Sequence, residues 1–503
     1  MLFRPVAFAA LALTPFFSLG ASAGTSSASH QKFGKDPIAY NNSGSDKYEK
    51  GDLEGAIADY DAAIRLDPKL AKAFYNRGLA KYDQGNLDAA IADYDTAIKL
   101  KPDYEDAYVN RALAKDDKND HDGAIADGNM AIQIDPNDPF AYNNRGWAYY
   151  KKGNLDAAID DYNQAIKLDP KLSQPYNDRG VAERDRGNLT QAIADYSSAI
   201  ALNPQDDQAY YNRAIAGDDK GDTTAALADA DRALQLDPKY MQAYVTRAEI
   251  KSERQDWDGA IADFTQALQI EPKNSAVCNE RGLAWYHKGQ ADSALADYNQ
   301  ALAIDPRNAN AYSNRGNVEK ALNQLDLAMA DYNQALVLQP KSDSAYNNRG
   351  MVKQAQGDLA GAIADYKEAL TLNSQNAEAL SNLSSTASAQ GNWKAAIAYA
   401  DQAIKLADNF AQAYNNRGVA KFNRNDVAGA LADYDRALQI DPNDEHAYNN
   451  RGIALQAKGD LDGALADFDL AVQINPSFSQ AQRNRAMAKW HDGDVLGAIG
   501  DLL

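Results

Sequence analysis

Proline recurs at residues 68, 102, 136, 170, 204, 238, 272, 306 and 340, and again at 442 and 476, always on a step of 34 residues. Ser374 and Asp408 occupy the two missing beats, and no insertion breaks the count. A fixed period of that size overrides the usual division of a 503-residue chain into a few independent globular domains. Each beat is one supersecondary unit that cannot bury its apolar face alone and must stack on its neighbours. Counted from residue 37, thirteen full units end at residue 478, and a shortened fourteenth covers 479–503.

Within a unit the small residues are fixed. The eighth position is usually Gly or Ala (Gly78, Ala112, Gly146, Gly180), the twentieth is Ala from Ala56 to Ala498, and the twenty-seventh is Ala from Ala63 to Ala471. Small side chains at helical spacing let two antiparallel helices approach closely. Aromatic residues at the fourth and twenty-fourth positions, such as Tyr142 and Tyr162, fill the space beside them. The fifteenth position is Gly in ten units, Asn at 119, 323 and 425, and Gln255 in one; Gly and Asn readily adopt the left-handed conformation that ends a helix. This pattern resembles the tetratricopeptide repeat over residues 37–503. The resemblance implies an all-α, right-handed superhelical solenoid of stacked antiparallel helix hairpins.

One departure from the family pattern stands out. The seventh position, ordinarily Leu, is Arg in twelve units, among them Arg77, Arg145 and Arg349, and the twenty-third is Asp in thirteen, among them Asp93, Asp161 and Asp365. Residues 377–410 lose both together, with Leu383 and Tyr399 at those places. Joint loss is the signature of an ion pair inside each hairpin, because a desolvated Asp without its Arg is costly. The Arg series is therefore read as structural, not catalytic.

The sixth position is Asn in eleven units, including Asn314, Asn348, Asn382, Asn416 and Asn450. The resemblance implies that the first helix of each unit lines a groove through its second, fifth, sixth, ninth, twelfth and thirteenth positions. An Asn run there resembles the asparagine ladder of the O-GlcNAc transferase superhelix, where side-chain amides hold an extended peptide by its backbone. An amide offers both donor and acceptor and so matches a peptide backbone whatever its side chains. The same amides also suit a second role, satisfying backbone or inter-repeat hydrogen bonds. Toward the N-terminus the groove positions are acidic (Asp116, Asp117, Asp218, Asp219, Glu253); toward the C-terminus they turn neutral or apolar, with Met351, Gln354, Ser388, Val419, Phe422 and Ile453. The stretch from Asn314 to Asn450 is the expected peptide site. The fifth position carries Asn143, Val245 and Asn347, not the Lys used by the carboxylate clamp of chaperone-binding relatives, so that activity is not expected.

Residues 1–23 read as a secretory signal peptide: an early Arg4, an apolar run from Val6 to Leu19, and Ala21-Ser22-Ala23 before the cut. Residues 24–36 read as a flexible lead-in. Export to a periplasm or full secretion follows, without membrane insertion. A net charge of -20 with no basic cluster disfavours nucleic acid. The single Cys278 and five scattered His give no zinc set, and the segment Asp117 to Gly123 has the wrong spacing for a calcium loop. No phosphate loop or nucleophile elbow is found, so neither metal, cofactor nor catalysis is expected. The chain reads as an exported protein-protein interaction scaffold. The alternative is a self-assembling subunit of an envelope or polysaccharide-export assembly, associating through the apolar C-terminal end at Leu502-Leu503.

Overall fold

The structure, a computed structural model, describes residues 36–501. The expected signal peptide, the lead-in up to residue 35, and Leu502 and Leu503 lie outside the described residues. Every helix falls where the period puts it: the first of each repeat begins at its first position and the second at its seventeenth. No strand occurs among the described residues.

The chain divides into two compact units after Leu202. The first holds five antiparallel hairpins, from Pro37–Glu49 with Leu53–Leu66 to Ser173–Asp185 with Leu189–Leu202. The second holds nine, from Asp207–Asp219 with Thr223–Leu236 to Ser479–Asp492 with the short Val495–Gly500. Within each unit the second helix of one repeat packs on the first helix of the next, which gives an all-α solenoid of stacked hairpins.

Local chemistry sets each boundary. The fifteenth residue turns left-handed, at φ 76° for Gly85 and φ 63° for Asn119, so only residues tolerant of positive φ end the first helix without strain. Gln255 adopts φ 61° and bears that strain. Where the sixteenth residue is Asp or Asn its side chain caps the second helix, which Gln290 and Gln324 do not; Asp52 Oδ1 accepts from the Gly55 amide at 2.9 Å, and Asp256 Oδ1 from the Gly259 amide at 3.0 Å. After that helix, Asp67 Oδ1 accepts from the Lys69 amide at 2.9 Å, an Asx turn that spans Pro68.

The core is a column of alanines with a ring in most hairpins. The alanines at positions 20 and 27 are buried throughout, and the ring at position 24 lies against the glycine at position 8. A Cβ on Gly78 would sit 2.6 Å from Tyr94 Cε1, and one on Gly350 would sit 2.7 Å from Tyr366 Cε1. Most repeats without Gly at position 8 also lack the ring, as in the pairs Ala112 and Gly128, Ala214 and Ala230, and Ser384 and Ala400. Phe264 opposite Ala248 is the exception.

Candidate functional site

Within each unit the Arg at position 7 is a three-way connector. Arg145 donates from Nε and Nη2 to Asp161 Oδ2 and Oδ1 at 2.8 and 2.6 Å, a bidentate pair across its own hairpin. Arg77 with Asp93 and Arg349 with Asp365 repeat that geometry. The Asp is buried, between 4% and 6% exposed at these three sites. Burial pushes the Asp161 carboxyl above its ordinary range, and Arg145 opposes that shift. The third donor, Nη1, reaches sixteen residues back into the preceding repeat: to Asp61 at 2.5 Å from Arg77, Asn129 at 2.7 Å from Arg145, and Asn333 at 2.8 Å from Arg349.

The sequence reading missed that third partner. A signal for it exists, since within each unit the residue reached is Asp, Asn or Thr, whereas Lys367 stands sixteen residues before Leu383. There all three polar partners are gone. Leu383 is 1% exposed, packed with Ala362 and Tyr366, and Tyr399 lies against the same cluster.

The asparagines at position 6 bind neighbouring repeats. Nδ2 of Asn314, Asn382 and Asn450 donates to Oδ1 of Asn279, Asn347 and Asn415 in the preceding repeat, each at 3.0 Å. Asn416 donates to the Ser381 carbonyl at 3.1 Å and its Oγ at 3.0 Å, and Asn348 to Asn317 Oδ1 at 3.0 Å. One amide hydrogen of each is thus committed to stacking. Among the described residues the Oδ1 atoms of Asn416 and Asn450 accept no other bond.

Three of the expected groove residues are brought together. Asn416, Val419 and Asn450 line one open concavity of 610 Å³, whose floor and walls also include Ser385, Trp393 and His446. The space arises because residues 377–389 combine Ser385, Ser388 and Ala389 at groove positions where most other repeats have larger side chains. Ser388 Oγ is shielded and has no partner among the described residues. Met351 is 37% exposed in the neighbouring groove segment, whereas Phe422 and Ile453 lean partly into the core, against Tyr434 and Phe468. Asn382 is 9% exposed and does not reach the concavity.

In the first unit the acidic groove residues pair with tyrosines. The hydroxyls of Tyr48, Tyr82 and Tyr150 donate to Asp83, Asp117 and Asp185 of the following repeat at 2.5, 2.5 and 2.7 Å. Burial first, then the carboxylate, raises the pKa of each phenol. The segment Asp117 to Gly123 is a repeat turn: Asp120 caps the next helix and His121 Nδ1 lies 2.6 Å from Asp116 Oδ1. Among the described residues no cluster of His, Cys, Asp or Glu is placed to hold a metal ion, and no helix is long and apolar enough to cross a membrane.

Family profiles described as TPR repeat or tetratricopeptide repeat match residues 44–172, 180–240 and 282–478 between them. The chain belongs to the tetratricopeptide-repeat family, whose members are protein-protein interaction scaffolds. No curated protein matches it. Similar solved structures include an APC/C hetero-tetramer, Cut9-Hcn1, at 14% identity, 90% coverage of this chain, 96% of that chain and TM-score 0.49. A tetratricopeptide repeat protein from Parabacteroides merdae gives 23% identity, 50% and 99% coverage, and TM-score 0.42. YrrB, a TPR protein with an unusual peptide-binding site, gives 24% identity, 39% and 98% coverage, and TM-score 0.30.

Proposed function

We propose that this scaffold is exported and holds an extended peptide or protein segment along the groove between Asn314 and Asn450. The observation that carries the reading is the concavity of 610 Å³ at Ser385, Asn416, Val419 and Asn450, which lies on ladder positions and has both apolar and amide walls. A space of that size takes several residues of an extended chain. The amide oxygens of Asn416 and Asn450 accept backbone N–H groups while their nitrogens keep the repeats stacked. Ala389 is exposed at the rim, so Ala389→Trp obstructs the groove without entering the core. That variant is expected to keep its helical content and lose peptides selected from a random library; peptides that bind it undiminished would refute the groove as the site. Export is tested by sequencing the N-terminus of the protein isolated from its cells: a chain starting at Gly24 supports it, and an intact Met1 in the cytoplasm refutes it.

A second reading, self-association, is favoured by the exposure of Trp490 (60%) and Leu496 (84%). Sedimentation at high concentration decides it: a monomer removes this reading.

A further inference from the structure

Seven repeats place a lysine at the eleventh position and bind it to the aspartate of the same hairpin at 2.6–3.0 Å. Repeat 9 has Glu319 there instead, and its lysine, Lys320, comes one residue later on the helix Ala309–Ala321. One residue turns a side chain by about 100° around the axis. Lys320 therefore leaves the hairpin interior for the groove face, which it shares with Asn317 three residues earlier.

Its contacts there are weak and uncharged. Nζ meets Asn348 Oδ1 at 3.3 Å and Met351 Sδ at 3.7 Å, and no carboxylate pairs with it among the described residues. Asn348 is itself pinned, since its Nδ2 donates to Asn317 Oδ1, which also accepts from the Tyr332 hydroxyl at 2.7 Å. Asn317 Nδ2 makes no hydrogen bond among the described residues. Burial lowers the pKa of the Lys320 ammonium, and Glu378, beyond contact, offsets only part of that. A partly desolvated cation without a countercharge is an unfavourable arrangement that a bound anion relieves. In the seven repeats with lysine at the eleventh position, the fold itself supplies the carboxylate.

We infer that Lys320, with Asn317 beside it, binds a carboxylate of the segment held in the groove, either a C-terminal carboxylate or an Asp or Glu side chain. The inference rests on the groove reading above and names the partner's chemistry. A carboxylate brings two acceptor oxygens, which the ammonium and the Asn317 amide match with N–H donors. The cation stands at the twelfth position of its repeat; the fifth, where the carboxylate clamp of chaperone-binding relatives has Lys, is Ser313. Asn314, Met351 and Gln354 beside it are neutral, and the carboxylate that acts on it, Glu378, lies beyond contact, so this ammonium sets the charge that its own site accepts.

The test is a library of random dodecapeptides displayed with free C-termini and selected on the full-length protein. Enriched peptides are remade in two forms, one with an amidated C-terminus and one with Asp and Glu changed to Asn and Gln, which separates the two sources of the carboxylate. One form is expected to bind about tenfold more weakly than its parent. Lys320→Gln should weaken the parent by a similar factor and leave the weakened form unchanged. Equal affinity of the parent and both remade forms, or a variant that weakens parent and weakened form alike, overturns the inference. Peptides that Ala389→Trp blocks but that ignore Lys320 sink this inference alone; a library that yields no groove binder sinks the groove reading and this one with it. Without any ligand, Lys320→Met should keep or raise the thermal midpoint, and a fall of several degrees marks a structural lysine and contradicts the assignment.

Discussion

Replacing Arg145 with Leu removes three hydrogen bonds, two to Asp161 and one to Asn129. Asp161 is 6% exposed, and the eleventh position of its repeat is Tyr149, so no lysine remains to neutralise it. An orphaned buried carboxylate costs about 3–5 kcal/mol. At Asp93, by contrast, Lys81 Nζ stays 2.7 Å away, so Arg77→Leu should cost only what a charged hydrogen bond contributes, about 1.5–3 kcal/mol. The double variant Arg145→Leu with Asp161→Tyr copies Leu383 and Tyr399 and should recover most of the single loss. Repeat arrays need not unfold in one step, so the readout is native-state hydrogen exchange on peptides covering Pro139–Lys151 and Leu155–Leu168. The pH dependence has a definite sign. Burial already holds the Asp161 pKa above its unfolded value, and loss of Arg145 raises it further. The folded variant then binds a proton that the unfolded chain lacks, so the variant regains stability as pH falls from 7 toward about 4. Additive single effects, with a coupling under about 0.5 kcal/mol, would show that the two residues do not interact and would refute the ion-pair account.

Gly78→Ala drives a methyl into the Tyr94 ring and should cost about 1–3 kcal/mol, measured by denaturant unfolding; no loss would contradict the packing of that ring on glycine. Glu319 is pushed up to about 7 by burial first and Asp331 next, against Arg315, so its share of stability is present at pH 5 and lost by pH 8. The urea midpoint should fall over that interval, and Glu319→Gln should flatten the dependence. Asn450→Ala deletes the bond to Asn415 and should cost about 1 kcal/mol even without a partner; an unaltered stability would return that amide entirely to ligand binding.

Much of this was legible before any coordinates. The 34-residue beat, with Gly or Asn at position 15 and Pro at position 32, placed every described helix, because both ends of each helix are fixed by local backbone chemistry. The Arg145 and Asp161 pair was legible because Leu383 and Tyr399 lose both members at once. Its extension to Asn129 was not, since that bond runs backward between repeats and its acceptor varies among Asp, Asn and Thr. The stacking role of the Asn ladder was named from the sequence as the alternative to peptide binding, but its partners were not legible. Its acceptors are Asn279, Asn347 and Asn415 in some repeats and Ser381 in another, a variety that no single motif records. The ring at position 24 was expected to fill the space beside the small residues, and the packing narrows that to its contact with the glycine at position 8. The concavity at Ser385 was unmarked, because space left by small side chains has no residue signature of its own.

The central claim is that partners are held in the groove. A photoreactive amino acid placed at Val419 or Met351, and for comparison at Val337, which is 72% exposed on the second helix of its repeat, tests it in the native cells. Discrete protein adducts at 419 and 351, and none at 337, are the expected result; adducts at 337 alone, or equally at all three positions, would contradict the account.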